Sequence, residues 1–149
     1  MITASGEFGA GGTTDGSEMK ITSDPDCLFC KIVAGQIPAK VVRDSPDFLA
    51  FRDIAPQART HVLVIPKTHA YRNAAELAAG DPQLAAGLLA EGARVAEQEG
   101  LADHAQPPGY RFVFNTDQAA GQTVFHVHLH VLGGEQLGHF GFFGPARTQ

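Results

Sequence analysis

Three histidines fall within five residues, His126-Val127-His128-Leu129-His130, each separated from the next by one apolar residue. A strand sends successive side chains to opposite faces, so a strand over 125–132 would put all three imidazoles on one face. Val127, Leu129 and Val131 would then take the other face, as core. Same-face neighbours lie about 7 Å apart along a strand, close enough for three rings to converge on one small ligand. Near neutral pH an imidazole can attack an electrophile, carry a proton or bind a metal. Core packing explains the pattern poorly, because each buried ring would need its own hydrogen-bond partner. A His-x-His pair completed by a carbonyl, carboxylate or thiolate would be a metal site.

The other chemically distinctive spacing is Cys27-x-x-Cys30, and these are the chain's 2 cysteines. Such a pair suits a redox couple or half of a metal site better than a disulfide scaffold.

The elements that must position these residues are readable from composition and period. Residues 27–34 carry Leu28, Ile32 and Phe29, Val33 at helical spacing and stop at Gly35, which predicts a short helix. Residues 41–43 and 47–53 read as a hairpin turning at Ser45-Pro46, and 61–66 as a β-branched central strand closed by Pro66. From Ala74 the chain is rich in Ala, Leu, Glu and Gln, interrupted at Gly80-Asp81-Pro82, where Asp-Pro is a helix-start signal. Leu84, Leu88 and Val95, with Ala85, Leu89 and Ala96 beside them, form the apolar stripe of a long amphipathic helix ending at Gly100. Strands follow over 110–115 and 125–132, separated by the polar loop 116–123. This order predicts an α+β domain: a mainly antiparallel five-stranded sheet, a long helix on one face and a short N-terminal helix.

At 149 residues the chain has room for one core, and a two-domain enzyme is not expected. Residues 1–25 are mostly Gly, Ser, Thr and Asp and are expected to form a disordered tail, with Met19 a plausible start; the domain proper runs over 26–149. Apolar runs reach only four residues, 48–51 and 62–65, with no transmembrane helix and no signal-peptide core near Met1, so a soluble cytoplasmic protein is expected. A net charge of −5, with no basic window, disfavours nucleic acid as a partner. His69 and His104 have no motif company and are expected at the surface.

The run Gly121-Gln122-Thr123-Val124-Phe125-His126-Val127-His128-Leu129-His130-Val131-Leu132-Gly133-Gly134 resembles the signature of the histidine triad (HIT) nucleotide-binding proteins, in particular their Hint-like branch of purine nucleoside phosphoramidases. The likeness extends in one register over about 26–138, through Ile37-Pro38-Ala39-Lys40, Phe51-Arg52-Asp53-Ile54-Ala55-Pro56, Thr60-His61-Val62-Leu63-Val64-Ile65-Pro66-Lys67 and Gly109-Tyr110-Arg111-Phe112. It implies a HIT-like fold and a hydrolase that splits the P–N bond of adenosine or guanosine 5′-phosphoramidates through a nucleotidyl-histidine.

In that resemblance His128 is the nucleophile, with its far ring nitrogen donating to the backbone carbonyl of His126, and His130 is a donor to the phosphate. Phosphate oxygens need preorganised donors. The backbone N–H groups of Thr123 and Val124, with Asn115 and Gln122, are the candidates, and the Thr123 hydroxyl, in place of the family's common serine, could relay a proton to the amine. Asp53 would accept both ribose hydroxyls, and Phe29, Ile32, Phe51 and Ile54 would form the purine slot. The resemblance to bacterial members implies a structural zinc held by Cys27, Cys30, His61 and His126, and no catalytic metal or organic cofactor. It also implies a homodimer joined through the long helix and a strand at 110–114. The tryptophan that relatives often carry near the C-terminus is replaced by His139-Phe140-Gly141-Phe142-Phe143. The rival readings are a dinucleoside polyphosphate hydrolase or nucleotidyl transferase of the same superfamily, and a nucleotide-binding regulatory protein without enzymatic purpose.

Overall fold

The computed structural model describes residues 22–139. Five strands, β1 (Val41–Asp44), β2 (Phe48–Arg52), β3 (Thr60–Pro66), β4 (Tyr110–Val113) and β5 (Leu129–Gly133), form one sheet in the order β1-β2-β3-β5-β4. Every neighbouring pair is antiparallel. The helices are α1 (Leu28–Val33), α2 (Ala74–Gly80) and α3 (Pro82–Gln98). The fold is α+β with a five-stranded antiparallel sheet, as the element order predicts. Of the expected tail and the aromatic C-terminus, residues 1–21 and 140–149 lie outside the described residues.

Alternation along the strands divides the core in two. Ala50, Val62, Val64, Leu129 and Val131 pack under Leu88, Val95 and Ala96 of α3. Leu49, Phe51, Leu63 and Ile65 face the other way and pack with Phe29, Cys27 and Cys30 around α1. Asp81 starts α3, its carboxylate accepting the Leu84 N–H at 3.0 Å ahead of Pro82 at the first helical position. The helix lies close on the sheet because residue 92 is glycine. A Cβ there would come within 2.6 Å of Leu129 Cδ2 and 2.9 Å of Phe112 Cζ. Buried Glu91 ties the helix to β1, its carboxylate accepting from Arg43 Nε at 2.6 Å and Ser45 Oγ at 3.2 Å.

Three strand predictions are shortened, the one expected over 47–53 by a residue at each end, to Phe48–Arg52. The strand expected over 110–115 ends at Val113, and the one expected over 125–132 runs from Leu129 to Gly133. The register pairs Val64 with Leu129, and two residues further along β3 comes Pro66, which has no N–H to offer. The Pro66 carbonyl is taken instead by the His126 ring, at 2.7 Å, and Val127 N–H donates to Tyr71 O at 3.0 Å. The alternation of faces survives without the ladder, since Val127 still packs in the α3 core.

Candidate active site

The three imidazoles do not converge on one ligand. His126 is fully buried with its ring turned toward the cysteines, whereas His128 and His130 line a cavity of about 330 Å³. Its apolar wall is Leu28, Phe29, Ile32 and Ile37 from the α1 region with Phe51 and Leu63 from the sheet. Its polar lining includes Arg52, Asp53, Asn115, Thr123, His128 and His130, with Val124 beside them and Ile54, 98% exposed, at the rim. Size and lining fit a small amphipathic ligand.

Hydrogen-bond partners assign the ring tautomers. Nδ1 of His128 donates to the His126 carbonyl at 2.8 Å, which leaves Nε2 with a bare lone pair. Gln57 N–H donates to His61 Nδ1 at 3.0 Å, so the His61 proton sits on Nε2, 2.9 Å from Nδ1 of His130. That leaves His130 with its proton on Nε2. Among the described residues this is the one buried side-chain polar atom without a partner. An unsatisfied buried donor is destabilising by about 1–3 kcal/mol, so it favours an acceptor arriving with a ligand. A nucleophilic nitrogen and an unpaired donor thus stand side by side, ring centroids 5.1 Å apart.

Burial keeps these rings neutral. It pushes the His130 pKa down to about 4, with neighbouring His128 and His61 adding to the effect and Asp53 opposing it. His128 is lowered by the same desolvation, partly offset by the His126 carbonyl and by Asp53. Desolvation also lowers His61, against the pull of the Asp53 carboxylate. Asp53 itself is oriented by Ala55 N–H, which donates to Oδ1 at 2.8 Å, while Oδ2 lies 3.4 Å from His61 Nε2.

Gln122 departs from its expected role. Its side-chain amide donates to Arg72 O at 2.7 Å and Val124 O at 3.0 Å, and its Oε1 accepts from Asp117 N–H at 2.8 Å. Buried and fully engaged, it braces the loop that carries Thr123 and Val124 and has no donor left for a ligand.

The metal-ligand set needs a correction as well. Cys27 and Cys30 are joined by His126 and His69, and His61 is elsewhere. His61 sits five residues before Pro66, roughly 16 Å along an extended strand from the end where His126 lies. His69, expected at the surface, follows the end of β3 and folds back beside α1. The antiparallel register, with His61 opposite Leu132, is the signal that distinguishes the two. His104 is exposed, as expected.

The cluster is spaced for a tetrahedral ion. Nδ1 of His126 lies 3.6 Å from each sulfur, Nδ1 of His69 lies 3.4 Å from Cys30 Sγ, and the two nitrogens are 3.2 Å apart. Bonds of about 2.05 Å to nitrogen and 2.3 Å to sulfur give tetrahedral edges of about 3.3 Å between nitrogens and about 3.6 Å from nitrogen to sulfur. The Nε2–H of His126 donates to Pro66 O, which leaves its Nδ1 lone pair aimed into the cluster. The donors therefore fit a metal, and Cys27, Cys30, His69 and His126 would hold it. Burial raises the Cys27 thiol pKa.

A HIT domain family model matches residues 34–137. An uncharacterized HIT-like protein of Synechococcus elongatus is 46% identical over 112 residues, 75% of this chain and 93% of that protein. The purine nucleoside phosphoramidase of Escherichia coli K12 is 39% identical over 113 residues, 76% of this chain and 91% of that protein. Among solved structures, a HIT family hydrolase from Clostridium thermocellum matches with a TM-score of 0.71 at 38% identity, covering 78% of this chain and 96% of that one. One from Legionella pneumophila matches with a TM-score of 0.70 at 46% identity, covering 76% and 97%. With the match spanning its sheet, its long helix and both cavity histidines, the chain belongs to the HIT domain family.

Proposed function

We propose that this protein hydrolyses purine nucleoside 5′-phosphoramidates, with His128 as the covalent nucleophile. The observation that carries the reading is the pair formed by the bare His128 Nε2 and the unpartnered His130 Nε2–H at the end of one apolar cavity. In this reading the purine lies among Phe29, Ile32, Phe51 and Ile54, and Asp53 accepts the ribose hydroxyls. His128 Nε2 bonds to the α-phosphorus as the P–N bond to the amine breaks. His130 and the backbone N–H groups of Thr123 and Val124, with Asn115, steady the phosphate oxygens. The amine leaves protonated, with the Thr123 hydroxyl as the relay. Water then opens the nucleotidyl-histidine, releasing the nucleoside monophosphate and restoring His128. The similarity to a named purine nucleoside phosphoramidase supports the substrate class.

The cluster of Cys27, Cys30, His69 and His126 is read as a closed structural zinc site, since the edges match zinc bond lengths and no ligand position is left open. Zinc there would supply cross-linking of α1 to the segment before β5. Homodimerisation is part of the same reading: β4 is an edge strand of the sheet with exposed Tyr110, and α3 exposes Leu89. No helix among the described residues is long and apolar enough to cross a membrane.

The test is steady-state hydrolysis of adenosine 5′-phosphoramidate and diadenosine polyphosphate by wild type and His128→Ala. Phosphoramidate turnover that falls by several orders of magnitude in the variant is the expected result. Cleavage of the polyphosphate alone would replace the substrate assignment, and binding of AMP with no cleavage would make the protein a nucleotide binder.

A further inference from the structure

Asp24 is not one of the four metal-binding side chains, yet it touches two of them. Its backbone N–H donates to Cys30 Sγ at 3.4 Å, and its Oδ2 lies 3.8 Å from Nε2 of His69. The carboxylate is held in place: Oδ1 accepts from Asp26 N–H at 2.8 Å, and the Asp24 carbonyl accepts from Cys27 N–H at 3.1 Å. The same segment grips His69 through its backbone, because Thr22 O accepts the His69 N–H at 3.0 Å.

An imidazole that binds a metal through one nitrogen keeps its proton on the other, and an acceptor there fixes the tautomer, orients the ring and raises its basicity. For His126 that acceptor is the Pro66 carbonyl. Nδ1 of His69 faces Cys30 and His126, and the group facing its Nε2 is the Asp24 carboxylate. At 3.8 Å the contact is longer than a hydrogen bond, so the carboxylate acts on that N–H through its negative charge at ion-pair range.

We infer that Asp24 is the positioning residue of the metal centre, its carboxylate holding His69 in the tautomer and orientation that bind the ion. The inference rests on the metal reading above. Neither Asp24 nor its contacts belong to the nucleotide cavity, so it acts on metal affinity and not on the reacting atoms.

The test uses the full chain and zinc alone as the probe. Zinc content is measured on purified wild type, and affinity by competition with a chromophoric chelator for wild type, Asp24→Ala and Asp24→Asn. The expected result is one zinc per chain in wild type and an affinity loss of ~10-fold or more for Asp24→Ala. A smaller loss is expected for Asp24→Asn, which keeps an accepting oxygen without the charge. The Nε2–H resonance of His69 in 15N-histidine-labelled, zinc-loaded protein should move in both variants, a signature that a general loss of stability would not give. If Asp24→Ala does not fold, Asp24→Asn decides. Zinc affinities within twofold of wild type and an unmoved His69 resonance would overturn the inference while leaving the metal reading intact. A wild-type protein that neither contains nor takes up zinc would overturn both.

Discussion

His61 Nε2 stands 2.9 Å from His130 Nδ1, and through that single contact a backbone amide on one loop sets the proton position of a ring in the cavity. The order is Gln57 N–H to His61, His61 N–H to His130, and His130 N–H to whatever enters. Replacing His61 with Gln keeps a polar group but breaks this order. We expect kcat to fall by about 10-fold or more with KM little changed, less than the roughly 10²- to 10³-fold loss expected for His130→Ala, which removes the donor itself. Kinetics on adenosine 5′-phosphoramidate check both values. An unaltered kcat in His61→Gln would mean the proton on His130 is not set by its neighbour.

The contrast between His61 and His69 marks what was legible in the sequence. The Asp81-Pro82 helix start and the stripe on α3 are local patterns, and each predicts its element directly, whereas alternation along His126–His130 predicts the side-chain faces but overruns the strand, which begins at Leu129. The choice of metal ligand depended on pairing register between strands far apart in sequence, which no local pattern contains. Val64 opposite Leu129 sends His61 away from the cysteines and brings the chain after Pro66 toward them. The role of Gln122 was hidden for a related reason: its partner Arg72 O lies 50 residues away in sequence, and only the fold brings it beside the loop that holds Gln122 and Asp117.

Gln122→Ala should therefore act through the loop. It removes three hydrogen bonds from a buried position and leaves the Asp117 N–H and two carbonyls without their partner. A stability loss of about 1–3 kcal/mol is expected, read as a lower denaturant midpoint. Because Thr123 and Val124 ride on the same loop, KM for a phosphoramidate should rise as well. A variant with wild-type stability and KM would show that the loop does not depend on this amide.

Acid should destabilise the protein through the neutral imidazoles. The His130 pKa lies at about 4 in the folded chain, below its ordinary value of 6.5, because the ring is buried beside His128 and His61, with Asp53 pulling weakly the other way. The unfolded chain takes up that proton first, so the stability His130 contributes is complete above about pH 6.5 and is lost as pH falls toward 4. His130→Gln removes the titration. Its Tm should fall less than that of wild type between pH 7 and pH 4.5, as followed by circular dichroism, and parallel curves would contradict the assignment.

Metal removal should reach the cavity by way of one peptide unit. The ring of His126 belongs to the cysteine cluster, while its carbonyl holds the Nδ1 proton of His128 at 2.8 Å. Loss of a bound ion frees the His126 ring to turn about its remaining anchor at Pro66 O and loosens α1, which carries Phe29 against the edge of His128. A strong chelator should lower Tm, and kcat should fall with it even at temperatures where the chain stays folded. Restoring zinc should recover both. The check is paired melting and turnover measurements before chelation, after it and after zinc is returned. A chelated protein with unchanged Tm would count against a structural ion, whereas a lower Tm with full activity would keep the ion but sever the link that His126 provides between it and His128.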